Sequence, residues 1–383
     1  MKFTDINEIE EAVAASGKAT LKVVGVGGCG GNAINRMIRA NLKGVEYVAI
    51  NTDAQDLQRC MADVKLQLGP RMTKGLGAGG NCEIGEQAAQ ESLKEIEEVL
   101  AGADMVFVAA GMGGGTGTGA GPIIANTARE LGAITVGVVT RPFEFEGTVR
   151  SSQADLGVKG LRKEVDTLIV IPNDRLRSLA EEESSFEEVM DMANMVLMNA
   201  VEGICSLISS PGQINLDFQD VRTVITQGGG AMMGTGSASG PSRAIEAARE
   251  AISSPLLDNV SIEGSRSLLV NLQASSSIRF NEFVEAHETI TKVVGPQANV
   301  FIGMSMREDL GDVLKVTVIS TGFGEPAAVG QPELLEIPDT RGADFPFGGR
   351  SGAEAEVEPF AVKEDAISKR NSSIPSFLKR RVD

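Results

Sequence analysis

The chain has 383 residues, too many for one small core, with an ordinary apolar content of 42% and a formal net charge of −17. That acidity argues against a nucleic-acid partner, which would need a basic face. Four cysteines without CxxC spacing (Cys29, Cys60, Cys82, Cys205) and a single histidine, His287, argue against a Cys/His zinc site and read as cytosolic thiols.

Residues 1–18 are polar and acidic and are expected to form a loose arm. They lack the basic and apolar regions of a signal peptide. No run of about 18 apolar residues follows, so membrane insertion is not expected. LKVVGVG, from Leu21, is a β-branched run ending in glycines and predicts a buried strand. The pattern recurs at VEYVAINTD from Val45, ADMVFVAAGMGGG from Ala103, AITVGVVTRPF from Ala133 and DTLIVIPND from Asp166. Helix-like stretches lie between, among them EIGEQAAQESLKEIEEVL from Glu83 and GPIIANTARELG from Gly121. This alternation predicts an α/β fold of Rossmann type over residues 19–185. Its parallel sheet would be covered on both faces, with ligands at the carboxyl ends of its strands.

From Phe186, apolar residues at helical spacing (Val189, Ala193, Val196, Leu197, Ala200, Ile204, Ile208) predict one long helix over 186–210, stopped near Pro211 and Gly212. Met190, Met192, Met195 and Met198 on it read as flexible packing. A smaller α/β domain over 211–325 follows, with a helix at SRAIEAAREAISS and strands at SRSLLVNLQAS, ANVFIGMSM and LKVTVISTG. Residues 326–371 have the composition of a disordered linker. The tip, 372–383, places Ile374, Phe377 and Leu378 before Lys379, Arg380 and Arg381. It reads either as a docking peptide or as a frayed terminus.

The chain holds 45 glycines, well above a usual share of about 7%, and they cluster after apolar runs. Gly25, Gly27 and Gly30 in GVGGCGGN satisfy G-x-G-x-x-G between a strand and a helix. Open backbone N–H groups there suit a phosphate, and Asp53 stands about where a dinucleotide fold keeps a ribose-binding acid. An NAD-dependent oxidoreductase is therefore one reading. The second loop, GGGTGTG from Gly113 to Gly119, has five glycines in seven residues, and Thr116 and Thr118 add hydroxyls. Two phosphate loops on neighbouring strands suit a nucleoside di- or triphosphate gripped from both sides. No G-x-x-x-x-G-K-[ST] occurs and neither loop has a lysine. Charge neutralisation then falls to N–H groups, helix dipoles and a metal ion.

GVGGCGGNA, NTDAQ, TKGLGAG, GMGGGTGTGAGP, RPFEFEG, IPND and NLDFQDVRTV together resemble the tubulin/FtsZ family, in its bacterial cell-division branch. The resemblance runs from about Leu21 to Gly324 and resumes at SIPSFLKRR. It implies a tubulin-like GTPase domain joined by the long central helix to a smaller domain, and head-to-tail filaments in the cytoplasm at the mid-cell division site. GTP and GDP would be the ligands, with Mg²⁺ bound mainly through the phosphates. Carried over by position, Gly28, Cys29, Gly30, Gly31, Asn32, Gly115, Thr116 and Gly117 would hold the phosphates. Glu146 would accept from the ribose and Arg150 would lie against the nucleotide, although an i,i+4 ion pair is the plainer reading of those two. Asn215, Asp217 and Asp220 would enter the pocket of the next subunit, and the two aspartates would orient the attacking water. On local grounds alone, Asp217 is a helix N-cap. Met190 and Met195 stand where relatives carry a phenylalanine and a guanine-reading aspartate, and Asn194 is the available substitute. Residues 372–383 would dock on membrane-tethering division proteins.

Overall fold

The structure is a computed structural model and describes residues 19–178, 180, 183–209, 214, 216–227, 229–257, 265–295 and 297–323. The arm 1–18, the linker 326–371, the terminal peptide 372–383 and Asn215 lie outside the described residues.

Strands β1 (Leu21–Val26), β2 (Glu46–Asn51), β3 (Val64–Gln67), β4 (Met105–Gly111), β5 (Ile134–Arg141) and β6 (Thr167–Pro172) run parallel in the order β3-β2-β1-β4-β5-β6. Successive side chains go to opposite faces: Leu21 and Val23 join one core, Val24 and Val26 the other. Burial on both faces is why these strands read as unbroken apolar runs.

The helices in chain order are α1 (Gly27–Arg39), α2 (Ala54–Arg59), α3 (Cys82–Glu91), α4 (Leu93–Leu100), α5 (Thr116–Glu130), α6 (Thr148–Glu164), α7 (Phe186–Ser209) and α8 (Phe218–Thr226). α1, α7 and α8 cover one face through Ile34, Met37, Val196, Leu197, Val221 and Val224. α3 to α6 cover the other through Ala88, Ile96, Ile124, Ala128 and Leu161.

The sheet does not stop at β6. β7 (Gly230–Ala238) continues it in parallel through Leu168↔Gly230 and Ile169↔Ala231. β10 (Leu314–Phe323) then pairs antiparallel with β7 and with β8 (Ser267–Ala274), and β9 (Asn299–Met306) closes the edge. All ten strands form one sheet. α9 (Arg243–Ile252) and α10 (Phe280–Val294) bury Ala244, Ala247, Ala286 and Ile290 against Leu268, Val270, Val316 and Val318.

Several local expectations change. The stretch from Glu83 is two helices, broken at Ser92 (φ −104°, ψ 24°), whose buried hydroxyl accepts from the Gly69 N–H at 3.1 Å. A tertiary hydrogen bond breaks that helix, with no glycine or proline to mark it. α10, whose sequence FNEFVEAHETITKVV was not singled out, and the short polar β3 are additions. Among the described residues α7 is the one helix long and apolar enough to cross a bilayer, with a mean hydropathy of 1.4. Yet 67% of its most apolar window is buried inside the fold, as expected of a core helix.

Candidate nucleotide-binding site

A cleft of about 530 Å³ opens at the carboxyl ends of β1, β4, β5 and β6. It lies where the strand order reverses between β1 and β4, the switch point at which such sheets bind ligands. α1 and α5 both begin here. Neither has a side-chain cap: the N-cap positions are Val26 and Gly115. The first-turn N–H groups of Gly27, Gly28 and Cys29, and of Thr116 and Gly117, therefore lack intrahelical and cap partners, and these residues line the cleft. Two helix dipoles converge on one space, an arrangement suited to a polyanion. The loops touch: a Cβ on Gly27, whose φ is +72°, would lie 3.3 Å from the Gly117 nitrogen.

Hydroxyls fix the second loop. The Gly113 N–H donates to Thr118 Oγ1 at 2.9 Å, so Thr118 closes the loop. Thr116 Oγ1 lies 2.7 Å from Thr52 Oγ1, tying the start of α5 to the end of β2. Cys29 faces Thr140, with Sγ 3.8 Å from its Oγ1; burial pushes the thiol up, and Glu146 adds to the shift. Cys29 thus contributes a neutral side chain and a backbone N–H.

The glycines divide into two groups. Gly114 has nothing within 4 Å of a built Cβ, and Gly28 meets only Asp56 Oδ2, so these two leave backbone open. Gly30 instead packs α1 on β4, where its Cβ would fall 2.5 Å from the Ala109 carbonyl oxygen. Gly30 does not line the cleft, and Gly31 opens toward a smaller neighbouring cavity beside Asp56 and Cys60. Gly115 abuts Ala78 and Asn81. Gly119 would place a Cβ 2.0 Å from the Cys82 carbonyl oxygen, so it seats α3 on α5. Much of the glycine excess therefore serves helix packing.

Away from the phosphate loops the cleft is lined by Pro142, Glu146, Arg150, Asn173, Asn32 and, from α7, Met190, Ala193 and Asn194. Glu146 accepts from the Phe143 N–H at 2.9 Å and pairs with Arg150. The i,i+4 pair is formed, and it sits on the cleft wall. Met190, Ala193 and Asn194 share a face at i, i+3 and i+4. Met195 is 36% exposed and does not line the cleft. Asn194 lines it directly. Asn173, Pro142 and Thr140 are lining residues that sequence reasoning missed. Asn173 stands in IPND and Pro142 in RPFEFEG, while Thr140 falls in the strand run AITVGVVTRPF, and local pattern gives none of the three a role.

Asp53, the acid of the dinucleotide reading, caps α2, accepting from the Gln55 and Asp56 N–H groups at 2.8 and 3.3 Å. It does not line the cleft.

Asp217 and Asp220 lie elsewhere. Asp217 is the N-cap of α8 and accepts from the Asp220 N–H at 2.7 Å. Neither lines the cleft. α7 has 24 residues, a rise of roughly 36 Å at about 1.5 Å per residue. Its first turns hold Met190 and Asn194 at the cleft. Its last hold Leu207, which lies with Ile214 and Leu216 around Gly303. α8 then ends with the Ile225 carbonyl accepting from Thr167 Oγ1 at 2.6 Å, at the amino end of β6. The carboxylate segment thus sits at the opposite end of α7 and of the sheet from the cleft.

Such a fold and cleft define a nucleotide-binding α/β protein with two glycine loops at one cleft. Residues 20–181 match the Tubulin/FtsZ family GTPase domain, and residues 229–324 match the FtsZ family C-terminal domain. Among solved structures, the empty FtsZ dimer of M. jannaschii is 40% identical. The alignment covers 84% of this chain and 93% of that one, at a TM-score of 0.79. CetZ2 from Haloferax volcanii, a GTPγS-bound protofilament, shares the fold at 22% identity and a TM-score of 0.68, covering 80% of this chain and 94% of its own. The chain belongs to the Tubulin/FtsZ family, and it is a GTP-binding, polymerising tubulin-like GTPase of cell division. The oxidoreductase reading has no support.

Proposed function

We propose that hydrolysis takes place at a composite site between subunits of a head-to-tail filament, in the cytokinetic ring of a dividing bacterial cell. The observation that carries this is the separation of the two half-sites by the length of α7. A carboxylate segment at one end can meet a cleft at the other only through a second copy, and such heterologous contacts build open filaments. Gly28, Cys29, Gly115, Thr116 and Gly117 bind the phosphates through backbone N–H groups. Asp217 and Asp220 of the neighbouring copy orient the attacking water, with Asn215 beside them. Positioning and electrostatics are what phosphoryl transfer asks of a protein. Mg²⁺ is held mainly by phosphate oxygens and water, since Glu146, among the described residues the one carboxylate lining the cleft, is engaged by Arg150. The terminal peptide 372–383 docks on membrane-tethering division proteins, which keeps the filament at mid-cell in the cytoplasm. The family resemblance at SIPSFLKRR supports that assignment.

GTP turnover per subunit should rise with protein concentration through the assembly range. A flat rate would refute the composite site. Asp217→Asn keeps an N-cap acceptor and removes the charge. It should bind GTP normally and lose turnover by about 100-fold or more.

A further inference from the structure

We propose that the segment Pro332–Asp339, which follows the last strand, folds back into an apolar cavity between β6 and β7 and is held there by Arg162 and Arg141.

The cavity, of about 370 Å³, shares no lining residue with the nucleotide cleft. Its origin is a split in the sheet. The register of β6 on β7 holds for two pairs, Leu168↔Gly230 and Ile169↔Ala231, and ends there. Leu168, Val170 and Met232 form an apolar wall with Val158 of α6 and Leu256 from beyond α9. Val158, Val170 and Met232 are left partly exposed. Arg162 and Arg141 stand among them, and no carboxylate lines the cavity among the described residues. Arg141 pairs with Asp155, which is exposed. Arg162 has no ion pair or hydrogen bond among the described residues; a Cβ on Gly230 would lie 3.5 Å from its Nη1. An apolar wall with an unmatched cation fits an occupant that is both apolar and acidic.

The chain carries such a segment where it leaves the fold. β10 runs antiparallel to β7 with Phe323 opposite Gly230, so it ends beside Arg162. Glu333 stands ten residues further on, a span of at most about 35 Å. The sequence there is PELLEIPD. Glu333, Glu336 and Asp339 recur at every third residue, with Leu334 and Ile337 one step behind the first two. Pro332 and Pro338 bias the residues before them toward extended backbone. At three residues per turn the acids form one stripe, and Leu334 and Ile337 form the next. Successive acids are then about 9 Å apart. The arginines stand four strand positions apart: Arg162 is level with Gly230 and Leu168, Arg141 with Pro172. That is about 13 Å, a difference that long side chains absorb. Glu333 meets Arg162, Glu336 meets Arg141, and Leu334 and Ile337 enter the cavity. A linker composition argues against a core of its own, and a short anchor needs none. The tether supplies a high effective concentration, so weak contacts suffice.

The chain has no tryptophan, so Ile337→Trp places a unique reporter in the full chain, studied with GDP. Its emission should lie to the blue of the same chain unfolded in urea, with acrylamide quenching lowered about threefold or more. Emission and quenching equal to those of the unfolded chain would overturn the proposal. In that background Glu333→Lys should abolish the shift, and adding Arg162→Glu should restore it. A shift indifferent to both substitutions would put the segment elsewhere and overturn the assignment to this cavity. If the doubly substituted chain does not fold, the response to Glu333→Lys decides. A shift that grows with protein concentration would mean docking on a second copy and would overturn folding back within one chain.

Discussion

The two halves of α7 are built for different purposes. Its first turns carry Met190 and Asn194, half-buried on the wall of an open cleft, and Met195, exposed. Its last turns are closed in. Glu202 is 5% exposed and pairs with Arg307 from beyond β9 and with Lys315 of β10, the latter at 2.9 Å. Lys315 also donates to Asn199 Oδ1 at 2.8 Å. The Ser206 hydroxyl accepts from Asn271 Nδ2, and the Ser305 hydroxyl donates to Asn271 Oδ1. The comparison teaches that one helix can be fixed at one end and left available at the other. Its buried polar groups are paired where it joins the C-terminal strands, and at the other end Asn194 is left half-buried on the cleft wall.

The largest stability effect that breaks this contrast should come from Glu202→Ala. Removing the carboxylate leaves two partly buried cations short of a partner and should cost about 3 kcal/mol in denaturant unfolding. Burial pushes the Glu202 carboxyl up, but Lys315 and Arg307 outweigh it and hold it below the usual glutamate range. A depressed folded pKa means that the stabilisation is complete above the unfolded value, about 4.3, and is lost as pH falls through the lower folded one. The stability gap between the wild type and Glu202→Gln should therefore be constant near neutrality and close as the pH drops below about 4. A gap that widened on acidification would contradict the assigned pairing.

Ser206→Ala is the next step down. It leaves the buried Asn271 N–H without its acceptor, a loss of about 1–2 kcal/mol, readable as a lower denaturant midpoint at constant slope. Smallest of all should be Met195→Ala. The side chain touches neither the cleft nor the core, so stability should move by less than about 0.5 kcal/mol and GDP affinity should not change. A clear loss of affinity there would mean that Met195, and not Asn194, meets the base.

Much of the parallel sheet was legible in the sequence. β1, β2, β4, β5 and β6 are short β-branched runs, and residues buried on both faces leave that signature. Both glycine loops were legible for the same local reason, since a strand, several glycines and a helix lie side by side in the chain. β3 was not, because VKLQ sits at the sheet edge, half-buried, with no apolar run to announce it. Nor was the Oδ1 of Asn173, buried without a hydrogen-bond partner among the described residues. Asp217 shows the middle case. Its cap was readable from NLDFQD, but its distance from the cleft was not.

By itself, then, the sequence determined the alternation of strands and helices, the two glycine loops and the family to which they belong. These depend on contacts within a few residues, or on motifs that stand contiguous in the chain. Tertiary structure alone decided which glycines face a ligand and which seat one helix on another. It also decided that Asn194 and not Met195 faces the cleft, and that the carboxylates of α8 lie a helix-length away from that cleft. Each of those depends on the rotation of a helix about its axis or on the approach of segments far apart in sequence, and packing of the whole core sets both.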